Sequence, residues 1–269
     1  MNWPSIFAIV RRDLPVVARA KAVMIPLVVL PIVLFVGLPL LVSFGLDAAG
    51  SELEDLLPLI EALPESIRAH LGDGDLLEQA QAYLLEYQLA TFFLIVPLMV
   101  CSVIAADSFA GEKERKTLES LLYTPTTDRE LYFAKLLGPW VAALVVTLAS
   151  YGLYLAVCNL VLAGSIGRPV ALTPLWFTVV LWLSPGVAAL GLSALVVVSS
   201  RVRGFQEAYQ AGGVLVLPVV ALVAAQFAGL LFVDTAMAVL LGAATWVVAL
   251  GVMALGFGLF RRERLLERI

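Results

Sequence analysis

Charge is what this chain has least of. Of its 269 residues, 14% are Asp, Glu, Lys or Arg, while 61% are hydrophobic. A soluble domain carries about a quarter charged residues and roughly half apolar ones, so a soluble globule is the wrong starting point. Cysteine is scarce too. Cys101 and Cys158 are the two present, both within apolar runs, where they read as membrane-buried thiols. They suit neither a disulfide framework nor a metal site. His70 is the one histidine, and no His-Glu-x-x-His, Cys–His pair or Ser–His–Asp set can be assembled around it. Gly-x-x-x-x-Gly-Lys-Ser/Thr does not occur, so this chain cannot cradle ATP phosphates by that route. The opening "MNWPSIFAIVRRD" has an apolar part too short for the core of a cleavable signal, so the first long run is expected to serve as the insertion signal.

The long apolar runs are what the chain does have. Six stretches lack Asp, Glu, Lys and Arg altogether: Ala22–Phe44, Tyr87–Ala106, Leu136–Gly167, Pro169–Ser200, Ala208–Val233 and Thr235–Phe260. Crossing the hydrocarbon core takes about 20 apolar residues as helix, and each run is long enough. Backbone in lipid must satisfy its own hydrogen bonds. Alternating segments of the barrel type are absent, so the spans are expected to be helices. They are placed at 22–46, 87–106, 136–163, 173–200, 208–233 and 235–260, within a single domain over 1–269. Asp107, Glu207 and Asp234 mark span ends, and no run holds an interior acid. That argues against intramembrane aspartyl proteolysis and proton relays.

Lys and Arg set the orientation. With the N-terminus inside, the inner segments hold 15 of them, and Arg68 and Arg168 alone lie outside. Both termini, including the tail 261–269, are therefore expected in the cytoplasm, with the chain in the cell membrane. The net charge of −4 hides this asymmetry, because ten of the 21 acids lie in the outer segment 47–86. The Arg residues follow topology and complement anionic lipid; they do not form a nucleic-acid surface.

Residues 1–21 read as an interfacial helix. Ile6, Ile9 and Val10 share a face, Trp3 stands at the start, and Arg11 and Arg12 reach headgroups. Pro26, Pro31 and Pro39 bend the first span. In the outer segment, Leu53, Leu56, Leu57 and Ile60 are expected on one helical face, interrupted by Pro58. Asp75 with Glu78 forms a cap for a helix running into the second span. The acidic face is either solvated or receives an external partner. Small residues four apart, at Ser184/Ala188, Ala189/Ser193 and Ala254/Gly258, allow close helix approach. Gly212, Gly213 and Pro218 loosen the fifth span, and "FVDTAM" leaves almost no connection between the fifth and sixth runs.

The inner segment 107–135 carries a dense cluster, with six charges in the eight residues from Glu112 to Glu119. Leu118, Leu121 and Leu122 stand at i, i+3 and i+4, a stripe on a short helix. Glu112 and Lys116 are four apart in the favourable order. Pro125 disfavours helix at Thr124, and Thr127 with Glu130 starts a new helix that continues into the third span. Such a stripe must be buried on lipid or on protein.

The stretch "GEKERKTLESLLYTPTTDRELYFAKLLGP" resembles the cytoplasmic segment between the second and third spans of ABC-2 type transporter permeases. There the pattern is an acidic–basic cluster, then Thr-Leu-Glu, two apolar residues, a Pro after a short gap and a Lys before the next span. Glu112, Glu114, Arg115, Thr117, Leu118, Glu119, Leu121, Leu122, Pro125 and Lys135 supply it. The six-span order and the inner N-terminal helix match as well. The fold implied is an all-α membrane protein with six transmembrane helices, an N-terminal interfacial helix and a cytoplasmic coupling helix between spans 2 and 3.

The resemblance implies that this coupling helix seats in a groove of a separate ATP-binding subunit. Glu112, Glu114, Arg115 and Glu119 would make polar contacts, while Leu118, Leu121 and Leu122 pack. The three acids disfavour the alternative, a helix lying on anionic lipid. The chain itself is then no enzyme and needs no cofactor; ATP and Mg belong to the partner. A second permease copy or a paralogue would complete the pathway, and export is the favoured direction. Two other readings stay open. One is a membrane scaffold for an extracytoplasmic partner at 47–86, including a role in metalloenzyme maturation. The other is an ATP-independent carrier, which the scarcity of buried ionisable groups disfavours.

Overall fold

A computed structural model describes residues 4, 7, 11, 21–72, 74–108, 127–161, 169–199 and 204–259. Among them every regular element is helical. Six helices are long and apolar enough to cross a membrane: span 1 Met24–Ala48, span 2 Leu76–Ala106, span 3 Glu130–Leu160, span 4 Pro174–Val198, span 5 Gln206–Phe227 and span 6 Thr235–Phe257. The expected interfacial helix at 1–21 lies almost wholly outside the described residues.

Span 2 is the axis of the bundle. Spans 1, 3, 4 and 5 pack around it, and span 6 lies against span 4. Outward faces of the peripheral helices are apolar, as at Ile25, Leu41, Val247 and Leu255, which suits lipid contact. Close helix approach comes from glycine as well as from the small-residue pairs. Ser184, Ala188, Ala189 and Ser193 are buried on span 4. At Gly212 of span 5, an added Cβ would stand 2.8 Å from Ser102 Cβ on span 2. Gly212→Val forces two backbones apart, and we expect it to lower the unfolding free energy by about 1–3 kcal/mol, read from thermal unfolding in lipid nanodiscs.

Several helices are irregular in a patterned way. Single π turns occur at Val33–Gly37 in span 1, Leu84–Gln88 in span 2, Val157–Val161 at the end of span 3 and Val179–Leu183 in span 4. Pro26 and Pro31 are accommodated within helix Lys21–Ile32, and Pro39 falls at the start of helix Leu38–Ala49. Span 2 breaks at Phe93–Leu94 and span 5 at Leu215–Val216. Pro218 sits in the first turn after the second break, where its missing N–H costs nothing. The connection from span 5 to span 6 runs over 228–234, with Gly229 at φ 67° and Asp234 Oδ1 accepting from Met237 N at 2.8 Å.

The outer segment departs from the expected stripe. It folds as a 3₁₀ turn Gly50–Leu56, then helices Leu57–Glu61 and Glu65–Leu71. The change of helix type turns Leu57 outward, and the buried residues are Ile60, Leu63, Ile67 and Leu71. The Asp75 cap forms as the sequence indicates: Glu78 N donates to Asp75 Oδ1 at 2.8 Å. From there the helix runs through Glu86 without a stop.

Candidate functional site

The coupling segment is the sequence's principal candidate. Its residues Glu112, Glu114, Arg115, Thr117, Leu118, Glu119, Leu121 and Leu122 lie outside the described residues. What the structure gives is the mount on either side. Span 2 ends in Ala106, Asp107 and Ser108, all buried. Thr127 restarts the chain with a complete capping box: its N–H donates to Glu130 Oε2 at 3.1 Å, and Glu130 N–H donates to Thr127 Oγ1 at 3.3 Å. Reciprocal capping satisfies two orphan donors and fixes where the helix begins.

One turn further, Lys135 is 1% exposed, and its Nζ donates to the Ser108 carbonyl at 3.3 Å. The ammonium thus links the last turn of span 2 to the first turns of span 3. Both feet of the segment 109–126 are held at one end of the bundle. Tyr132 adds a third element there, donating to the Met253 carbonyl of span 6 at 2.9 Å. In sequence Lys135 was a pattern marker before a span; its burial and its carbonyl partner are new.

The opposite end of the bundle holds a polar cluster that sequence reasoning missed. Glu86 is fully buried in the π turn of span 2, and its Oε2 lies 3.1 Å from His70 Nε2 on helix Glu65–Leu71. Charge counting puts Glu86 at a span boundary, whereas the helix carries it inside the core, so one span does contain an interior acid. A signal was present: the Asp75 cap starts a helix that has no breaker before Leu89. The pair fastens the outer helices to span 2, helped by Gln81 Nε2 donating to Asp47 Oδ1 at 2.9 Å.

Next to Glu86 an aromatic core joins four spans. Trp176 stacks on Tyr154 at 4.6 Å and on Tyr151 at 5.6 Å between ring centroids. Phe93 meets Trp176 edge-on at 5.5 Å, and Phe35 of span 1 lies 5.0 Å from Phe93. The Tyr154 hydroxyl donates to the Leu85 carbonyl at 2.5 Å, inside the π turn. Tyr151 donates to the Ala171 carbonyl at 2.8 Å, and Asn159 brackets Val170 with bonds to its N–H and its carbonyl. Cys101 and Cys158 are free and fully buried, as the sequence indicates.

No group of three His, Cys, Asp or Glu side chains among the described residues could hold a metal ion. The arrangement is one of anchored feet, a buried brace and a capped outer end. It fits a part that transmits movement more readily than one that performs chemistry. Comparison with curated proteins finds no match. The family model described as ABC-2 family transporter protein matches residues 7–241, which is most of the chain, and the protein therefore belongs to that family, as a multi-pass membrane subunit of a transporter.

Proposed function

We propose that this chain is one half of a dimeric, ATP-driven exporter. Two copies, or one copy with a paralogue, form the pathway. A separate ATP-binding subunit docks on the coupling helix, with Glu112, Glu114, Arg115, Thr117 and Glu119 in polar contact and Leu118, Leu121 and Leu122 packed. Nucleotide and Mg are held by that subunit, both termini face the cytoplasm, and the greasy spans suit lipid-like or peptide-like cargo.

The observation that carries this reading is the paired mount of 109–126. Lys135 bridges to Ser108, and Thr127–Glu130 caps the restart. A loop held rigidly at both feet passes force to the bundle; a slack one would absorb it. A ligand or partner can shift a conformational equilibrium only through differential contacts in the two states, and the coupling helix is where those contacts would be made.

The test is co-purification of the full complex. Reversing Glu112, Glu114 and Glu119 to Lys together should cut the bound ATP-binding subunit to below about a tenth, since each lost charge-assisted contact is worth about 1.5–3 kcal/mol. The six-span fold should survive. Full retention of the subunit, with normal stimulation of ATP hydrolysis, would sink the proposal.

A further inference from the structure

Gln88, Thr91 and Phe92 stand at i, i+3 and i+4 on span 2 and share a face. Val223, Gln226 and Phe227 repeat that spacing on span 5. Two contacts join the faces. Gln88 Nε2 donates to the Val223 carbonyl at 3.4 Å, and the Phe92 and Phe227 rings meet edge-on at 6.4 Å. Gln226 is 0% exposed, yet neither its Oε1 nor its Nε2 makes a hydrogen bond; buried Thr91 Oγ1 is likewise unpartnered.

A carboxamide without partners, in the core of a membrane bundle, is costly because no water offsets the loss. The Gln88 bond is itself long. The only polar groups on these facing surfaces are thus poorly satisfied in the arrangement seen. Both helices also break next to this face, at Phe93–Leu94 and Leu215–Val216. Beyond the breaks, Ser102 and Gly212 hold the inner halves at close approach. The outer halves, Leu89–Phe92 and Leu217–Phe227, can therefore shift against each other while the inner halves stay packed.

We propose that Gln226, Thr91 and Gln88 form a hydrogen-bonded latch that closes in a second conformation of the outer halves of spans 2 and 5. In that state Gln226 Nε2 donates to Thr91 Oγ1. Gln88 Nε2 leaves the Val223 carbonyl and donates to Gln226 Oε1. The conformation described here is the unlatched one. The latch rests on the transport reading above only for what drives it.

Spin labels test it in the full-length permease in lipid nanodiscs. Leu57→Cys on the outer helices and Leu230→Cys beyond span 5 are suitable, since both leucines are exposed, whereas Cys101 and Cys158 are fully buried. Pulsed dipolar spectroscopy should resolve two distance populations in the otherwise unaltered chain. Gln226→Leu should deplete the second roughly tenfold, the worth of about one hydrogen bond. Thr91→Val should act the same way. Nucleotide-free thermal midpoints should not fall, because neither group is bonded in the unlatched state. A single population in the unaltered chain, a second population indifferent to both substitutions, or a lowered midpoint overturns the latch. If the second population responds to Gln226→Leu but not to ATP with the ATP-binding subunit, the latch stands and the ATP-driven reading falls.

Discussion

Replacing Trp176 with alanine is expected to remove about 3–5 kcal/mol of unfolding free energy. Marginal stability of roughly 5–15 kcal/mol leaves little reserve against such a loss. The reason is position. Trp176 is fully buried and touches Phe93 of span 2 and Tyr151 and Tyr154 of span 3 from its own place on span 4. Phe35 of span 1 reaches the same cluster through Phe93 and Tyr154. One truncation thus empties the junction of four helices. The π turns on either side already place the local backbones off regular geometry, so the cavity cannot collapse cheaply. Trp182→Ala is the control. Trp182 is 43% exposed, and its loss should cost well under half as much. Unfolding curves of the two variants in nanodiscs check this, and a Trp176→Ala loss below about 1 kcal/mol would contradict the junction.

Lys135→Met is expected to act on function more than on fold. Methionine keeps an unbranched apolar stem but drops the ammonium that reaches the Ser108 carbonyl. A hydrogen bond from a charged donor is worth about 1.5–3 kcal/mol, so the feet of the coupling segment should separate roughly 10- to 150-fold more often. In the reconstituted complex, ATP hydrolysis should continue while cargo movement per ATP falls by a comparable factor. Lys135→Arg should restore part of it, because the guanidinium still donates. Unchanged coupling in Lys135→Met would show that the brace carries no force. Thr127→Ala removes the cap alone, a matter of about 0.5–2 kcal/mol in helix stability, and should loosen the restart of span 3 to a lesser degree.

Charge was a good guide to the spans and a poor one to their interiors. Six charge-free runs pointed to six helices, and the caps at Asp75 and Thr127 came through to the atom. Counting charges, however, stops a span at Glu86, although burial can carry an acid inward when a neighbouring element supplies a partner such as His70. The same count passes amides unnoticed, so Gln88 and Gln226 drew no attention inside runs defined by the absence of Asp, Glu, Lys and Arg. The π turns had no signal either. They answer to packing between helices, as where Tyr154 donates to the Leu85 carbonyl, and nothing local in "LLEYQ" demands them. The outer segment misled through helix type, since a 100° periodicity places Leu57 inside and a 3₁₀ lead-in turns it out.

The π turns bear on how such chains vary. A π turn takes up one residue more than the α-helix around it. Deleting one residue from Val33–Gly37 or from Val179–Leu183 would let the helix close regularly, but would swing all that follows by about 100°. Phe35 and Trp176, on the two helices so affected, would then lose their common neighbours. Conversely, an insertion already absorbed in a span need not shift the loops at its ends. Length differences between relatives of this protein should therefore fall within membrane helices as well as between them, each matched by a swivel in the helix that carries it.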